Sequence, residues 1–598
     1  MGISSNLAAA LALTGLLAIS GCASTLRLDT ERPRSYALSN QAETPLKAQR
    51  ATGIPSGKSG FHLLHGGHAA LAARLSLAQR ATRTLDVQYY LFHNDTTGKL
   101  VAEALLTAAE RGVRVRLLID DIDTANKELR LVTLNAHPNI EVRLFNPFHT
   151  RSTNLLVKGW QALRDKVRLN RRMHNKAFIA DNQVGITGGR NIGDEYFDAH
   201  HDLTFLDLDV IAAGAIVGDF SSSFDQYWNN ESAVPASALP VTASAARLSR
   251  ATAFLVQHRK QQLDSEYGRA LEMADPIPKL LSGQIPWHIA HADLIADPPE
   301  KVRNPDKSPS RLLLGQLAGL WVDPRQRLLI VSPYFVPGAF GMAYFRYWRH
   351  QGVQIDILTN SYAASDVPVV HAGYANYRIP LLESGISLYE LKPVAEPIGG
   401  RLRDLGSGSS QASLHAKTFV LDDIRVFIGS FNFDPRSTLL NTEMGLVIHS
   451  PELARQVTAM AEDAMRPERS YRPQLVIRPG EAPVNSRLQW HDIHQGIERI
   501  SDTNPKPPSS SAACCVSCRR YRSKNISKAT VKLLLRSFRI RPCVSAPRSP
   551  RPPPVSCCWA RANSARKSSS PCNGWGWRSL PWIAMPMPRG TRWRTAPM

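Results

Sequence analysis

Acidic residues are missing from one end of this 598-residue sequence. No Asp or Glu follows Asp502, whereas that last stretch contains 19 Lys and Arg residues and seven of the eight cysteines. The formal net charge of +22 is therefore concentrated in the tail, and the rest of the chain carries only about +3. Because nucleic-acid binding generally requires a basic surface, this near-neutral remainder argues against nucleic acid as a partner.

The tail also has little apolar periodicity. Residues 505–598 are rich in Pro, Ser, Arg and Trp, a composition that cannot bury enough apolar surface to offset the entropy lost on ordering. We interpret this segment as a disordered basic tail or as the product of a translated frameshift. Its Cys515 and Cys518 have no second pair at metal-ligand spacing, so they do not predict a metal site.

At the other end, basic residues and long apolar runs are both scarce. No Lys or Arg precedes Arg27, and the apolar run Leu7–Ile19 has 13 residues, whereas a spanning helix needs about 20. The run suits a signal peptide over residues 1–21, and Ile19-Ser20-Gly21-Cys22 resembles the lipobox of bacterial lipoproteins. The missing basic segment departs from that pattern. The resemblance implies a lipidated Cys22, a polar tether over residues 22–58 and a lipid-anchored envelope protein that faces the periplasm.

From about Gly60 onward, predicted strands and helices alternate. Helical periodicity over Leu63–Ala81 and Leu100–Arg111 is interleaved with strand-like runs at Leu85–Phe92 and Val113–Ile119, which predicts an α/β fold with mixed sheets flanked by helices. Three strand-like segments of this region have similar counterparts later in the sequence, in the same order. Residues 86–92 resemble 329–335, 112–119 resemble 352–358, and 139–145 resemble 385–391. The sequence therefore predicts an internal duplication. Its parts are a first half over residues 59–235, a helical connector over 236–310, a second half over 311–471 and an appendage over 472–504.

Each half carries one copy of the same polar motif. The two copies are His174-x-Lys176-x-x-x-x-Asp181 followed by Gly188-Gly189-x-Asn191, and His415-x-Lys417-x-x-x-x-Asp422 followed by Gly429-Ser430-x-Asn432. In a strand, a His and a Lys two residues apart project to one face. Small residues at the Gly positions let the backbone approach a ligand closely, and the Asn side chains offer amide donors. Two complete copies at the same point of a duplicated unit predict one shared site.

This set of groups suits displacement at a phosphodiester. The reaction needs a nucleophile on one side of phosphorus and a proton donor for the leaving alcohol on the other, and two histidines supply both. Two lysines and two asparagines can stabilise charge on the phosphoryl oxygens without a metal, so we predict neither metal nor cofactor. Gly188, Gly189, Gly429 and Ser430 complete the predicted phosphate-binding set.

Carboxylates complete the predicted site. Asp202 follows His174, and Glu443 follows His415, at the same interval of 28 residues, which predicts that each orients a histidine from behind. We include Asp181 and Asp422 among the candidate catalytic residues because they belong to the motif. Their position at a tight turn favours an orienting salt bridge over direct catalysis.

These motifs resemble those of the phospholipase D superfamily over residues 56–500. Finer details resemble bacterial cardiolipin synthases of the C-type branch, and the segments that carry them are Gln88-Tyr89-Tyr90, Gly188–Phe197, Ser332–Phe335 and Gly429–Ser437. The resemblance implies a pseudo-twofold pair of domains with one active site. It also implies transfer of a phosphatidyl group through a phosphohistidine, with phosphatidylglycerol as acceptor and phosphatidylethanolamine as a proposed donor at a membrane surface.

Two other activities fit the same motifs. With water as the acceptor the enzyme would be a phospholipase D that releases phosphatidic acid, and with a nucleic-acid substrate it would be an endonuclease or phosphodiesterase. The lipobox and the near-neutral charge outside the tail argue against the second activity.

Overall fold

The computed structural model describes most of the chain between residues 26 and 505. The described residues are 26–27, 29–39, 42–50, 53–124, 127–149, 151, 165–200, 203–303, 309–320, 323–393, 412–477 and 487–505. The predicted signal peptide, Cys22 and the basic tail lie outside them, as does Asp202. None of the described helices is long and apolar enough to cross a membrane.

The described part of the tether and of the first half contains nine strands and six helices. The strands are β1 Ser59–Leu64, β2 Thr84–Tyr89, β3 Arg114–Asp120, β4 Ile140–Phe145, β5 Ala177–Ala180, β6 Val184–Gly188, β7 Thr204–Leu206, β8 Asp209–Gly214 and β9 Ala233–Pro235. The helices are α1 Pro45–Arg50, α2 Gly67–Arg80, α3 Thr96–Glu110, α4 Glu128–Asn135, α5 Lys166–Leu169 and α6 Ile216–Trp228. Short 3₁₀ turns lie at Asp121–Asp123, Asp194–Tyr196 and Ala236–Ala238.

The connector and the second half complete the fold. The connector holds α7 Ala245–Leu263, α8 Glu266–Ala274, α9 Ile277–Leu281, β10 His288–Ala296 and 3₁₀ turns at Pro299–Val302 and Pro309–Arg311. The later strands are β11 Arg327–Val331, β12 Gln354–Asn360, β13 Ser387–Leu391, β14 Ala412–Leu414, β15 Thr418–Leu421, β16 Arg425–Gly429, β17 Met444–His449, β18 Ser470–Val476, β19 Arg487–His494 and β20 Ile497–Ser501. The helices are α10 Leu313–Leu320, α11 Gly338–His350, α12 Pro368–Ala375, α13 Arg378–Glu383, α14 Pro435–Leu439 and α15 Pro451–Ala464.

The two halves repeat one strand order. In the first half it is β9-β4-β3-β2-β5-β6-β8-β1, with β2, β3 and β4 parallel and the neighbours on either side antiparallel. The second half runs β18-β13-β12-β11-β15-β16-β17-β10, with β11, β12 and β13 parallel. Both expectations, the mixed α/β fold and the duplication, are confirmed.

The halves join through strands as well as through side chains. Strand β1 pairs antiparallel with β10, so the two sheets are continuous, and β7 of the first half pairs parallel with β14 of the second. A buried apolar cluster takes residues from both halves, including Phe61, Phe220, Val331 and Leu446. The apolar faces that the parallel strands and their helices must bury therefore cover one another across the pseudo-twofold relation.

The sequence did not indicate two of the strands. The periodicity at Leu63 predicted the start of a helix, but Ser59–Leu64 forms β1 and the helix begins at Gly67. The described part of the connector contains three helices and then the nine-residue strand β10, most of whose residues are only partly buried. Both strands lie at the junction of the halves, where pairing with each other and with β8 and β17 decides the conformation.

Candidate active site

Both motif histidines lie at the carboxyl edge of their parallel strands. Gln88, near the end of β2, pairs with Ala177, and Val331, at the end of β11, pairs with Thr418. Each pairing partner follows three residues after its histidine, so His174 and His415 come just beyond the strand ends. The backbone N–H of His174 donates to the Thr442 carbonyl in the opposite half at 2.9 Å.

The mirror contact exists for the second histidine. The backbone N–H of His415 donates to the carbonyl of Leu206, in the first half, at 2.8 Å. The residues before the histidines are also tied to strand ends. Asp120 accepts the N–H of Met173 at 2.8 Å, and Asn360 exchanges two hydrogen bonds with Leu414. Both halves therefore fix each histidine backbone.

Each imidazole is held by a buried carboxylate from the opposite half. His174 Nδ1 lies 2.8 Å from Glu443 Oε2, and His415 Nδ1 lies 2.5 Å from Asp207 Oδ2. Both carboxylate side chains are fully buried. Because neither histidine has its orienting carboxylate within its own half, neither half contains a complete site.

In the first half the sequence predicted an orienting carboxylate at Asp202, chosen because it matched the 28-residue interval of Glu443. Asp202 lies outside the described residues, and the carboxylate that contacts His415 is Asp207. Strand register explains the difference, since Gly188 pairs with Asp209 and Gly429 with Gly445. Asp207 and Glu443 each stand two residues before those partners. Five additional residues in the first-half loop displace the equivalent position, so aligning the strands that follow the motifs would have found it.

The electrostatics favour neutral rings and ionised carboxylates. Burial lowers the pKa of His174 to about 4, and burial together with Lys417 lowers the pKa of His415 to about 3. Burial alone would raise the pKa of Glu443 and of Asp207, but the adjacent histidines and lysines hold both below their ordinary values. An ionised carboxylate only accepts, so Nδ1 of each ring carries the proton and donates it, and Nε2 keeps a lone pair.

The two lysines are buried beside the histidines. Lys176 Nζ donates to the carbonyl of His174 at 2.6 Å, and Lys417 Nζ donates to the carbonyl of His415 and lies 2.9 Å from its Nδ1. Burial lowers the pKa of Lys176 to about 7 and also lowers that of Lys417. Each ammonium influences the histidine of the other half, which indicates that all four side chains share one site.

Three aromatic rings pack on the histidines. Tyr90 packs edge-on against His174 with ring centroids 4.9 Å apart, and Tyr196 packs edge-on against His415 at 5.1 Å. Phe205 lies 5.0 Å from His415. These rings restrict the imidazoles to one orientation and displace water, and no motif spacing marked them in advance.

The residues that the sequence predicted to bind phosphate make contacts with other groups of the protein. Asn191 Nδ2 donates to the Tyr196 hydroxyl at 2.9 Å, and Ser430 Oγ donates to Glu443 Oε2 at 2.5 Å. Gly189 leaves room for the Asp207 carboxylate, since a Cβ there would collide with it. Similarly, a Cβ on Gly188 would collide with strand β8, and a Cβ on Gly429 would collide with strand β17. Phosphate binding by these residues and by Asn432 stays a prediction.

Asp181 and Asp422 require a correction. Asp181 accepts the backbone N–H groups of Thr82, Arg83 and Thr84, and Asp422 accepts those of three residues at the start of β11. They stand at the far ends of β5 and β15 from the lysines, roughly 13 Å along a four-residue strand. Their carboxylates cap a neighbouring strand through backbone amides, so the structure gives them a capping role instead of the salt bridge that the turn position suggested, and a catalytic role is not among their described contacts.

One cluster of described residues could be mistaken for a metal site. Ligand atoms of His93, Asp95 and Glu195 lie within 4.8 Å of one another. His93 Nδ1 is 3.2 Å from Glu195 and its Nε2 is 3.4 Å from Asp123. Burial alone would lower the pKa of His93, but Glu195 and Asp123 raise it above its ordinary value. The carboxylates therefore favour the protonated form of the imidazole at this cluster.

Comparison with known proteins agrees with this geometry. The family described as cardiolipin synthase, PLD-like domain, matches residues 75–228 and 323–465, which contain both motifs. Cardiolipin synthase C of Escherichia coli (strain K12) is 46% identical over 405 residues, which are 67% of this chain and 84% of that protein. The chain belongs to this family. It is an enzyme of the phospholipase D superfamily, and the expectation drawn from the motifs is confirmed.

More distant similarities are also found. Cardiolipin synthase A of Pseudomonas putida (strain GB-1) is 24% identical over 404 residues, 67% of each chain. Among solved structures, phosphatidylserine synthase of Haemophilus influenzae Rd KW20 aligns over 70% of this chain and 88% of that one, with 14% identity and a TM-score of 0.47.

Proposed function

We propose that the enzyme transfers a phosphatidyl group from one phospholipid to the head-group hydroxyl of another and so forms cardiolipin. The observation that carries the proposal is the pair of neutral, buried imidazoles, each oriented by a carboxylate from the opposite half. The name and the 46% identity of the E. coli relative support the choice of cardiolipin as the product.

In the first step His174 Nε2 attacks phosphorus and forms a P–N bond while the P–O bond to the departing head-group alcohol breaks. His415 donates a proton to the leaving oxygen. Without substrate the pKa of His415 is about 3, but an anionic phosphodiester beside it would stabilise the imidazolium, as Asp207 does from behind. Catalysis thus depends on substrate binding to protonate one ring.

The second step reverses the roles at His415. It accepts the proton of the incoming hydroxyl, whose oxygen attacks phosphorus, and the P–N bond to His174 breaks. The ammonium groups of Lys176 and Lys417 are placed to stabilise charge on the equatorial oxygens during both steps. Phosphatidylglycerol is the proposed acceptor, and phosphatidylethanolamine is the proposed donor.

A membrane surface is the proposed location of the reaction. Two large apolar side chains are exposed in the first turns of α11 and α12, the helices that follow β11 and β12: Phe340 is 56% exposed and Val369 is 69% exposed. Exposed apolar residues at the starts of these helices are suited to insertion among lipid head groups. We propose in addition that Cys22 is lipidated and anchors the enzyme on the periplasmic side of the envelope. Cys22→Ser should then move the protein to the soluble fraction on fractionation.

Lipid analysis tests the activity directly. The purified enzyme is incubated with vesicles of phosphatidylglycerol and phosphatidylethanolamine, with His174→Ala and His415→Ala as inactive controls. New cardiolipin supports the proposal. Phosphatidic acid without cardiolipin would indicate hydrolysis instead, and neither product would exclude both activities.

A further inference from the structure

A tyrosine beside the second motif lies close to the reacting groups. Tyr334 stands three residues after Val331, whose pairing partner Thr418 is next to Lys417. The following residue, Phe335, forms a parallel bridge with Phe433 of the motif loop. The Ser332 hydroxyl ties this turn down by donating to the Tyr334 carbonyl at 2.8 Å.

The tyrosine is joined to a carboxylate from the next strand. Asp366 stands six residues after the end of β12, and Tyr334 Oη donates to its Oδ2 at 2.7 Å. The two side chains are only partly covered by protein, unlike the carboxylates behind the histidines. They therefore offer a hydroxyl and a carboxylate to a bound molecule.

This pair lies on the His415 side of the site, because Tyr334 follows β11, the neighbour of the strand that begins after His415, and the electrostatic effects agree. Burial raises the pKa of Asp366, and the positive charge of Lys417 acts in the opposite direction. Tyr334 is influenced in turn by Tyr196, whose ring packs on His415. His415 is the residue that, in the proposed reaction, protonates the leaving alcohol and then deprotonates the incoming one.

Among the described residues, the first half has no tyrosine at the equivalent position. The bridge between Phe92 and Ile192 corresponds to that between Phe335 and Phe433, which makes Leu91 the counterpart of Tyr334. The position equivalent to Asp366 is Asn126, six residues after the end of β3, and it lies outside the described residues. A transfer between two different alcohols requires recognition on one side only, and this asymmetry provides it.

We propose that Tyr334 and Asp366 form the subsite for the polar head group that leaves from, or attacks, phosphorus on the His415 side. The ligand chemistry is a head group rich in hydrogen-bond donors, either glycerol hydroxyls or an ammonium group. The inference rests on the proposed phosphatidyl transfer. By holding an alcohol against His415, the pair favours transfer over attack by water.

The ratio of cardiolipin to phosphatidic acid tests this subsite. Asp366→Asn and Tyr334→Phe are compared with the parent enzyme on vesicles of phosphatidylglycerol with and without phosphatidylethanolamine. If the subsite binds hydroxyls, we expect each variant to lower the ratio about tenfold or more on both kinds of vesicle while total donor consumption stays within about threefold. If it binds ammonium, we expect each variant to slow consumption only where phosphatidylethanolamine is the donor; either result supports the inference.

Tyr344→Phe is the matched control, because this phenol is 39% exposed on α11 and belongs to no part of the described site. Thermal unfolding of each variant identifies any loss of folded protein. An unchanged ratio together with unchanged consumption of phosphatidylethanolamine, or an equal fall of both products on both kinds of vesicle, would overturn the inference while the parent enzyme still makes cardiolipin. If the parent makes none, the proposed function fails, and the inference fails with it.

Discussion

The two halves hold their histidines with similar parts arranged in different ways. In one, Glu443 Oε2 accepts from both His174 and the Ser430 hydroxyl; in the other, Asp207 is shorter and lies against Gly189, the counterpart of Ser430. Lys417 approaches the ring of His415, whereas Lys176 is described only at the carbonyl of its histidine. From this difference in contacts we propose that His415 donates protons and that His174 attacks phosphorus.

The largest expected effect removes either histidine. His174→Ala and His415→Ala should each reduce turnover by about 10⁴-fold or more, and the double variant should be little worse, because groups that act as a unit are not additive. Lipid products are measured by chromatography, with His449→Ala as a control outside the site. If one single variant kept about half the activity, the halves would work as separate sites and the shared-site interpretation would be wrong.

Variants of the two orienting carboxylates should distinguish the histidine that donates protons from the histidine that attacks phosphorus. Asp207→Asn and Glu443→Gln should each lower turnover by about 10²- to 10⁴-fold, by analogy with loss of the carboxylate in a catalytic triad. A p-nitrophenyl phosphodiester needs no proton on its leaving group, so Asp207→Asn, which impairs His415, should still form the phosphohistidine and then stall. The measurement is a burst of p-nitrophenolate equal to the enzyme concentration.

Glu443→Gln provides the other arm of that experiment. It disturbs the proposed nucleophile His174, so it should give no burst and a slow first turnover. A burst from Glu443→Gln and none from Asp207→Asn would show that His415 is the nucleophile, and the roles of the two histidines would be exchanged.

A smaller effect concerns pH. The pKa of Lys176 is lowered to about 7 by burial, so its charge is present below that pH and is lost as the pH rises through it. We expect kcat/KM for an anionic substrate to decline about tenfold per pH unit above 7, while kcat is affected only at higher pH because bound phosphate stabilises the ammonium. Lys176→Arg should remove the decline, since a guanidinium stays charged. A flat profile in the parent enzyme would show that this charge does not limit binding.

The site illustrates what a sequence can and cannot specify. The equal spacing of His174, Lys176, His415 and Lys417 in two repeats was sufficient to predict one shared site, because strand periodicity fixes which side chains point together. Asp207 escaped the prediction because loop length and strand register, not residue count, set its position. Tyr90 and Tyr196 contact the histidines because segments that are distant in sequence, or that differ between the halves, pack together. A local sequence pattern cannot predict such contacts.

The strands, like the site residues, could be predicted only in part from the sequence. The repeated parallel strands follow from apolar runs of appropriate length, whereas β1 and β10 gain their conformation from pairing at the junction of the halves. The cap role of Asp181 and Asp422 also depends on a neighbouring strand, so the motif identified the residues but not the groups that they contact.

The smallest expected effect distinguishes these two caps. Both Asp181 and Asp422 have a positive φ, near 53°, and each accepts three backbone N–H groups, so replacing either with Ala removes those acceptors and adds backbone strain. The N–H groups around Thr84 are buried or partly buried, whereas those of Arg325 and Gln326 are exposed and can bind water. Leaving a buried donor unsatisfied costs about 1–3 kcal/mol, so Asp181→Ala should lower the free energy of unfolding by about 2 kcal/mol more than Asp422→Ala does.

Asn at each position serves as the control, because it keeps an acceptor and tolerates a positive φ. Urea unfolding measures the difference, and equal losses at the two positions would show that the burial of these amides does not distinguish the halves.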